Sequence, residues 1–171
     1  MLRFLFPRLT PQQSRGAALF EALVDEARQP HWFVEGQVPD TIDGRFAVMA
    51  TIVALGTVRL ERGGELARAA TVALAERFVE AMDAEHRQLG MGDPTVGKTV
   101  RKLVGALGRR AELWRGTLDG GASWENAVRF SLFRDAPAAA GAIGHCQAEL
   151  RNSWARLEAA SDEALAEGRI A

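Results

Sequence analysis

The sequence is poor in cysteine, in net charge and in long apolar runs. Of its 171 residues only Cys146 is a cysteine, which excludes an intramolecular disulfide and is typical of a protein in a reducing compartment. Its 21 Lys and Arg against 22 Asp and Glu give a formal net charge of −1, so no overall field favours nucleic acid or an anionic membrane. The uncharged stretch 47–58 falls well short of the ~20 residues that cross a bilayer.

The first residues, MLRFLFPRLTP, predict no targeting segment. The apolar stretch between Arg3 and Arg8 is too short for the core of a signal peptide, and no cleavage site of small residues follows it. The segment is also not an extended Arg- and Ser-rich transit peptide. We therefore expect a soluble, cytoplasmic protein with at most a peripheral contact at a membrane.

What the sequence does contain is helical periodicity. Thr10-Pro11 begins a first predicted helix that runs to about Arg28, a second follows the loop 38–46 and reaches about Arg62, and a third covers about 65–89. A fourth runs from Asp93-Pro94 to about Leu118, a short one from Ser123 to Phe133, and a long Ala-rich one from Pro137 onward. No segment alternates like a strand. The pattern predicts an all-α, single-domain bundle of about six helices over residues 1–171, with the second helix, apolar on all sides, in the middle.

Residues 92–99, GDPTVGKT, fit the phosphate-loop pattern G-x-x-x-x-G-K-[ST]. Such a loop needs a buried strand before it and a parallel sheet to carry it, but residues 81–89 are charged and helical in period. The favoured interpretation is a turn between helices, in which Gly90 ends one helix, Gly92 turns the chain and Asp93 caps the next. A nucleotide-binding protein remains the alternative.

Several ordered motifs resemble the ubiquinol–cytochrome c chaperone family. Val38-Pro39-Asp40-Thr41-Ile42-Asp43-Gly44-Arg45-Phe46 is similar to the family's VPDT-x-DGRF, and it follows an Ala27-Arg28-Gln29-Pro30 segment and an aromatic pair. Met82-Asp83, then Leu89 to Asp93 and Val96-Gly97-Lys98, resemble its MD…MGVGD-x-x-VGK, and Gly108-Arg109 matches a later Gly-Arg. The motifs cover roughly residues 15–120, and residues 121–171 form an Ala-rich helical extension.

The resemblance implies an assembly factor of respiratory complex III that holds newly made cytochrome b. In mitochondria such factors act with a small partner protein near the ribosome exit. Without a transit peptide, the chain is expected to be a bacterial-type member.

The fourth predicted helix has a basic face lined with glycines, opposite its apolar stripe. We refer to this face as the basic strip, and it continues through Glu112 to Gly116. Its proposed partner-binding residues are Lys98, Arg101, Lys102, Gly105, Gly108 and Arg109. Glycine in a helix interior costs about 1 kcal/mol relative to alanine, so glycines on a polar face are hard to explain by helix stability. We interpret the strip as a docking groove for a client or partner helix. A solvated basic face that tolerates glycine is the alternative.

Residues near the start of the second helix supply further candidates. Asp40 or Thr41 can cap that helix, and Asp43 can complement its dipole. Arg45 either pairs with one of these acids or contacts a partner. The aromatic pair Trp32 and Phe33 either covers the core or, if exposed, marks an interface.

The sequence offers no catalytic constellation. His31, His86 and His145 share no metal-ligand spacing, Cys146 on an Ala-rich helix favours packing, and Ser123 is better explained as a cap than as a nucleophile. We predict no catalytic residue, no metal and no cofactor. The expected function is that of a chaperone with cytochrome b as partner. Its rivals are the nucleotide-binding protein and a helical nucleic-acid-binding domain, which the net charge of −1 argues against.

Overall fold

The computed structural model describes residues 10–88, 96–134 and 136–170, and no strand occurs in them. Seven α-helices lie in this part of the chain: α1 (Thr10–Ala27), α2 (Ile42–Glu61), α3 (Glu65–Gln88), α4 (Val96–Leu118), α5 (Trp124–Val128), α6 (Ala140–Ala159) and α7 (Asp162–Ala166). A short 3-10 helix, Pro30–Trp32, precedes α2, and a π-helical turn, Arg129–Phe133, follows α5. The predicted all-α fold is confirmed.

Helix α2 lies at the centre of the bundle. It packs against α1, α3, α4, α6 and the π-helical turn, and its residues from Ala47 to Val58 are all buried. Two threonines in this apolar stretch remain compatible with burial because Thr51 and Thr57 donate hydroxyl hydrogen bonds to the carbonyls of Ala47 and Val53, at 2.7 and 2.9 Å. The central position predicted for the second helix is confirmed.

The predicted long C-terminal helix is in fact two helices, α6 and α7. Ser161 caps α7 by accepting a hydrogen bond from the Ala164 amide at 3.2 Å. Arg59 of α2 donates to the carbonyl oxygens of Leu157 and Ala160, which lie where α6 ends. These carbonyl oxygens therefore accept from a side chain and not from the amides of a continuing helix. Because the helix is interrupted here, the described residues contain one α-helix more than expected.

Asp162 fixes this corner to the α2–α3 connection. Its carboxylate accepts from the Gly64 amide at 2.7 Å and from Arg59 at 3.0 Å. The Gly64 hydrogen bond is the main cause that lowers the pKa of Asp162 below its ordinary value. The C-terminal residues are thereby held against the middle of the chain.

Within the residues that the structure describes, no helix combines the length and the apolar character needed to cross a membrane.

Candidate binding cleft

The start of α2 is built by its local sequence. Thr41 is the N-cap and accepts a hydrogen bond from the Gly44 amide at 3.2 Å, so of the two predicted caps the structure uses Thr41. A Cβ on Gly44 would lie 1.9 Å from the carbonyl oxygen of Pro39, and glycine is therefore required for the chain to pass there. Arg45 pairs with Asp40 at 2.7 Å, one of the two pairings that the sequence left open.

The aromatic pair before α2 is divided between core and surface. Trp32 has no exposed surface, and its indole N–H donates to the carbonyl of Glu26 at 2.9 Å. Trp32 is therefore a core residue and not an exposed contact for a partner, which corrects the prediction that it belongs to the binding residues. Phe33 is half-buried and lies under the guanidinium of Arg45, 5.1 Å from ring centre to the central carbon.

The basic strip of α4 is open to solvent over its described part. Arg101, Lys102, Gly108 and Arg109 are exposed, and Gly105 is half-buried. A Cβ on Gly108 would have no neighbour within 4 Å, and one on Gly105 would only reach the Arg109 side chain at 3.4 Å. No packing within the described protein accounts for the glycine at 108. Lys98 belongs to α4, but its side chain lies outside the described residues.

A cleft opens beside this strip, between the start of α2, the middle of α4 and the π-helical turn. Its volume is about 500 Å³, within the range of ligand pockets. Five of its ten lining residues are apolar and five are charged; they are Ile42, Asp43, Phe46, Lys102, Leu103, Ala106, Arg109, Arg110, Phe130 and Arg134. Lys102 and Arg109 belong to both the strip and the cleft, so the two form one continuous surface.

Two large apolar side chains at this cleft are exposed to solvent. Ile42 is 56% and Phe130 is 39% accessible to solvent. A single exposed apolar residue is common on protein surfaces, but two that line the same concave site indicate a surface built for contact. No sequence motif marks either residue for binding.

Arg110 is the buried cation of the cleft. It is only 6% exposed, and its guanidinium donates to the carbonyl oxygens of Ser131 at 3.0 Å and Ala106 at 3.3 Å. Its Nε has no hydrogen-bond partner among the described residues, and its central carbon lies 5.7 Å from the centre of the Phe46 ring. Burial, and then the positive charges of Arg134 and Arg109, lower the pKa of Arg110 to about 10. The side chain is therefore still charged at neutral pH.

The π-helical turn shapes the other wall. Its Ser131 accepts two hydrogen bonds. The carbonyl oxygen accepts from the Arg110 guanidinium at 3.0 Å, and the hydroxyl oxygen accepts from the Trp114 indole N–H at 3.1 Å. The turn ends at Arg134 in the left-handed conformation, with φ 51°, and Arg134 faces Asp43 at 3.5 Å. Single π-turns are often found at functional sites. The sequence predicted an ordinary helix here, since no residue pattern distinguishes a wide turn.

The phosphate-loop alternative lacks its structural context. Gly90, Gly92 and Asp93 lie outside the described residues, so their predicted turn and cap roles remain predictions. The element before them is α3, a helix that reaches Gln88, and the described part of the chain has no strand to form a nucleotide-binding sheet.

Two histidines lie together although no sequence pattern predicts their contact. His31 Nδ1 and His145 Nε2 lie 3.2 Å apart, and beside them the buried Cys146 thiol donates to the carbonyl of Gly36 at 3.6 Å. Burial raises the pKa of Cys146 to about 12, so the thiol is not a ready nucleophile. No group of three possible metal ligands occurs among the described side chains.

Comparison with known proteins gives two matches. The model of the family described as ubiquinol-cytochrome C chaperone matches residues 34–171, which include every lining residue of the cleft. The crystal structure of the Cbp3 homolog from Brucella abortus superposes with a TM-score of 0.79 at 27% sequence identity, over 100% of this chain and 96% of that one. No curated protein sequence matches the chain significantly.

Proposed function

Since its residues 34–171 match the family model, the chain belongs to the ubiquinol–cytochrome c chaperone family, and from this premise we propose that it holds newly made cytochrome b during assembly of the quinol–cytochrome c reductase. It does so by binding, without catalysing a reaction. In this proposal the protein works in the cytoplasm and contacts the inner membrane only peripherally. A small partner protein and the ribosome are further candidates for contact.

The observation that carries the proposal is the combined surface of cleft and basic strip. A newly made membrane protein presents apolar side chains that need cover, and exposed backbone that needs polar partners. The cleft offers Ile42, Phe46 and Phe130 for the first requirement. The exposed cations beside the cleft can donate hydrogen bonds to backbone carbonyls of the client, which meets the second requirement.

The glycines of α4 support the same interpretation. Gly105 and Gly108 leave the helix surface low between cationic side chains, so a client backbone can approach α4 closely. Lys98 and Arg101 extend the proposed contact toward the start of α4, and Arg45 and Phe33 extend it beyond α2. The whole surface suits a segment that is released again, because modest affinity needs few buried polar contacts.

The test is recovery of cytochrome b with the tagged protein from its native host. The double charge reversal Lys102→Glu/Arg109→Glu removes two cations shared by strip and cleft. The control Arg68→Glu/Arg77→Glu changes the net charge equally on α3, where neither residue lines the cleft. We expect the first variant to lose cytochrome b and the control to keep it, both compared with an unrelated membrane protein.

A deletion strain tests the consequence for the cell. We expect it to lose assembled quinol–cytochrome c reductase while another respiratory complex keeps its amount. If the wild-type protein recovers no cytochrome b and the deletion leaves the reductase unchanged, the proposal is wrong.

A further inference from the structure

The charges around the cleft are strongly unbalanced. Lys102, Arg109, Arg110 and Arg134 line it together with one acid, Asp43. That carboxylate is paired with Arg134. The whole chain carries a formal charge of −1, so the excess of cations is a local property of this site.

Arg110 is the member of this group whose charge is hardest to explain by folding alone. Its two hydrogen-bond acceptors are neutral carbonyl oxygens, its Nε is unpartnered among the described residues, and the charges that lower its pKa, those of Arg134 and Arg109, are also positive. A buried charge without an opposite partner is destabilising, whereas an apolar side chain of similar volume fills the same space without that cost. Among the described residues no carboxylate pairs with Arg110, and the one acid of the cleft, Asp43, pairs with Arg134 instead.

We infer that the cleft receives an Asp or Glu side chain of the bound polypeptide, flanked in that polypeptide by apolar residues. The carboxylate accepts charge-assisted hydrogen bonds from the cations around Arg110, and the flanking residues pack on Ile42, Phe46 and Phe130. The inference rests on the proposed function and names the kind of client segment that the site selects. A bare phosphate would satisfy the cations but leave these apolar side chains uncovered.

Two peptide libraries test this without reference to cytochrome b. Each contains fluorescent 12-residue peptides with apolar residues around a central position, which is Glu in one library and Gln in the other. Binding to the full-length protein is measured by anisotropy. We expect the Glu library to bind at least about ten-fold more tightly, because pairing a desolvated charge is worth this much or more.

Protein variants locate the effect. Arg110→Met removes the buried charge at similar length, and we expect the preference for Glu over Gln to fall toward one. Arg134→Gln changes an exposed residue of the same cleft and should reduce the preference even if Arg110→Met does not fold. Arg77→Gln on α3 should leave it unchanged.

Three results overturn the inference: equal binding of the two libraries, a Glu preference that survives both cleft variants, or stronger Arg110-dependent binding of phosphatidylglycerol vesicles or inorganic phosphate than of the Glu peptides. The first of these leaves recovery of cytochrome b from the host unaffected if the proposed function is right. Conversely, if the protein binds Glu peptides selectively but recovers no cytochrome b, and its deletion leaves the reductase unchanged, the proposed function is wrong while the cleft chemistry stands.

Discussion

Replacing Gly108 and Gly116 of α4 by alanine should stabilise the protein and weaken its hold on a client. An added Cβ meets no atom within 4 Å at either position, and neither glycine has a positive φ. The substitution therefore has no steric cost and gains the helix preference of alanine, about 0.5–1 kcal/mol for a glycine inside a helix. Gly116 lies in the last turn of α4, where we expect roughly half that gain.

The summed gain is about 1 kcal/mol in the free energy of unfolding, which corresponds to roughly 2–4 °C in melting temperature for a domain of this size. Circular dichroism in a urea series and on heating measures both quantities. Gly44→Ala is the matched contrast, because its Cβ would lie 1.9 Å from the Pro39 carbonyl, and it should destabilise the fold. A double variant less stable than wild type would refute the view that α4 is open at these glycines.

Client recovery separates the two interpretations of the strip. If the glycines let a client backbone approach, the stabilised double variant should recover less cytochrome b than the wild type. If the strip is a solvated face, recovery should equal that of the wild type.

Three further predictions follow from other parts of the fold. Burial is the main cause that lowers the pKa of His31 below 6.5. On acidification the unfolded chain therefore binds this proton before the folded protein does, and the free energy of unfolding should fall as the pH drops below about 6.5. Urea titrations at pH 7 and pH 5 should show a smaller change in the free energy of unfolding for His31→Gln than for wild type. Asp162→Ala removes the acceptor of the Gly64 amide and of Arg59 and should lower the free energy of unfolding by about 1–3 kcal/mol in the same assay; no loss would mean that the corner contributes nothing. Calorimetric titration with magnesium and ATP should give no saturable binding, and saturable binding that Lys98→Ala abolishes would revive the nucleotide interpretation.

The sequence predicted the helices well because each signal was local. A helix cap, an apolar helix circumference and a helix-breaking glycine each depend on residues close by in the sequence. Thr41, the pattern of α2 and the glycines between α2 and α3 could therefore be interpreted from a single sequence. The pairing of Arg45 with Asp40 was one of the alternatives that the sequence left open, and only the structure decides among them.

The cleft was only half predictable. Lys102 and Arg109 fall on the polar face of α4 and are exposed. Arg110 follows Arg109 directly in sequence, but it is buried by the π-helical turn, more than 20 residues later in the chain. Only the packing of that turn on α4 decides that one arginine is exposed and the next is not. The break between α6 and α7 likewise depends on Arg59, about 100 residues away, which no local pattern reveals.

The Arg59 corner has a consequence for the order of folding. The Arg59 guanidinium in α2 donates to acceptors of Leu157, Ala160 and Asp162, which are about 100 residues later in the chain. Gly168 also passes so close to α1 that a Cβ would lie 2.6 Å from the Ala18 carbonyl oxygen. Closing such long loops comes late, because their entropy must be lost before the contacts form. During synthesis, the side of α2 that packs on α6 and the sides of α1 and α3 that pack on α7 therefore stay uncovered until these last helices have left the ribosome. For that interval this protein itself exposes the kind of surface that a holding factor protects.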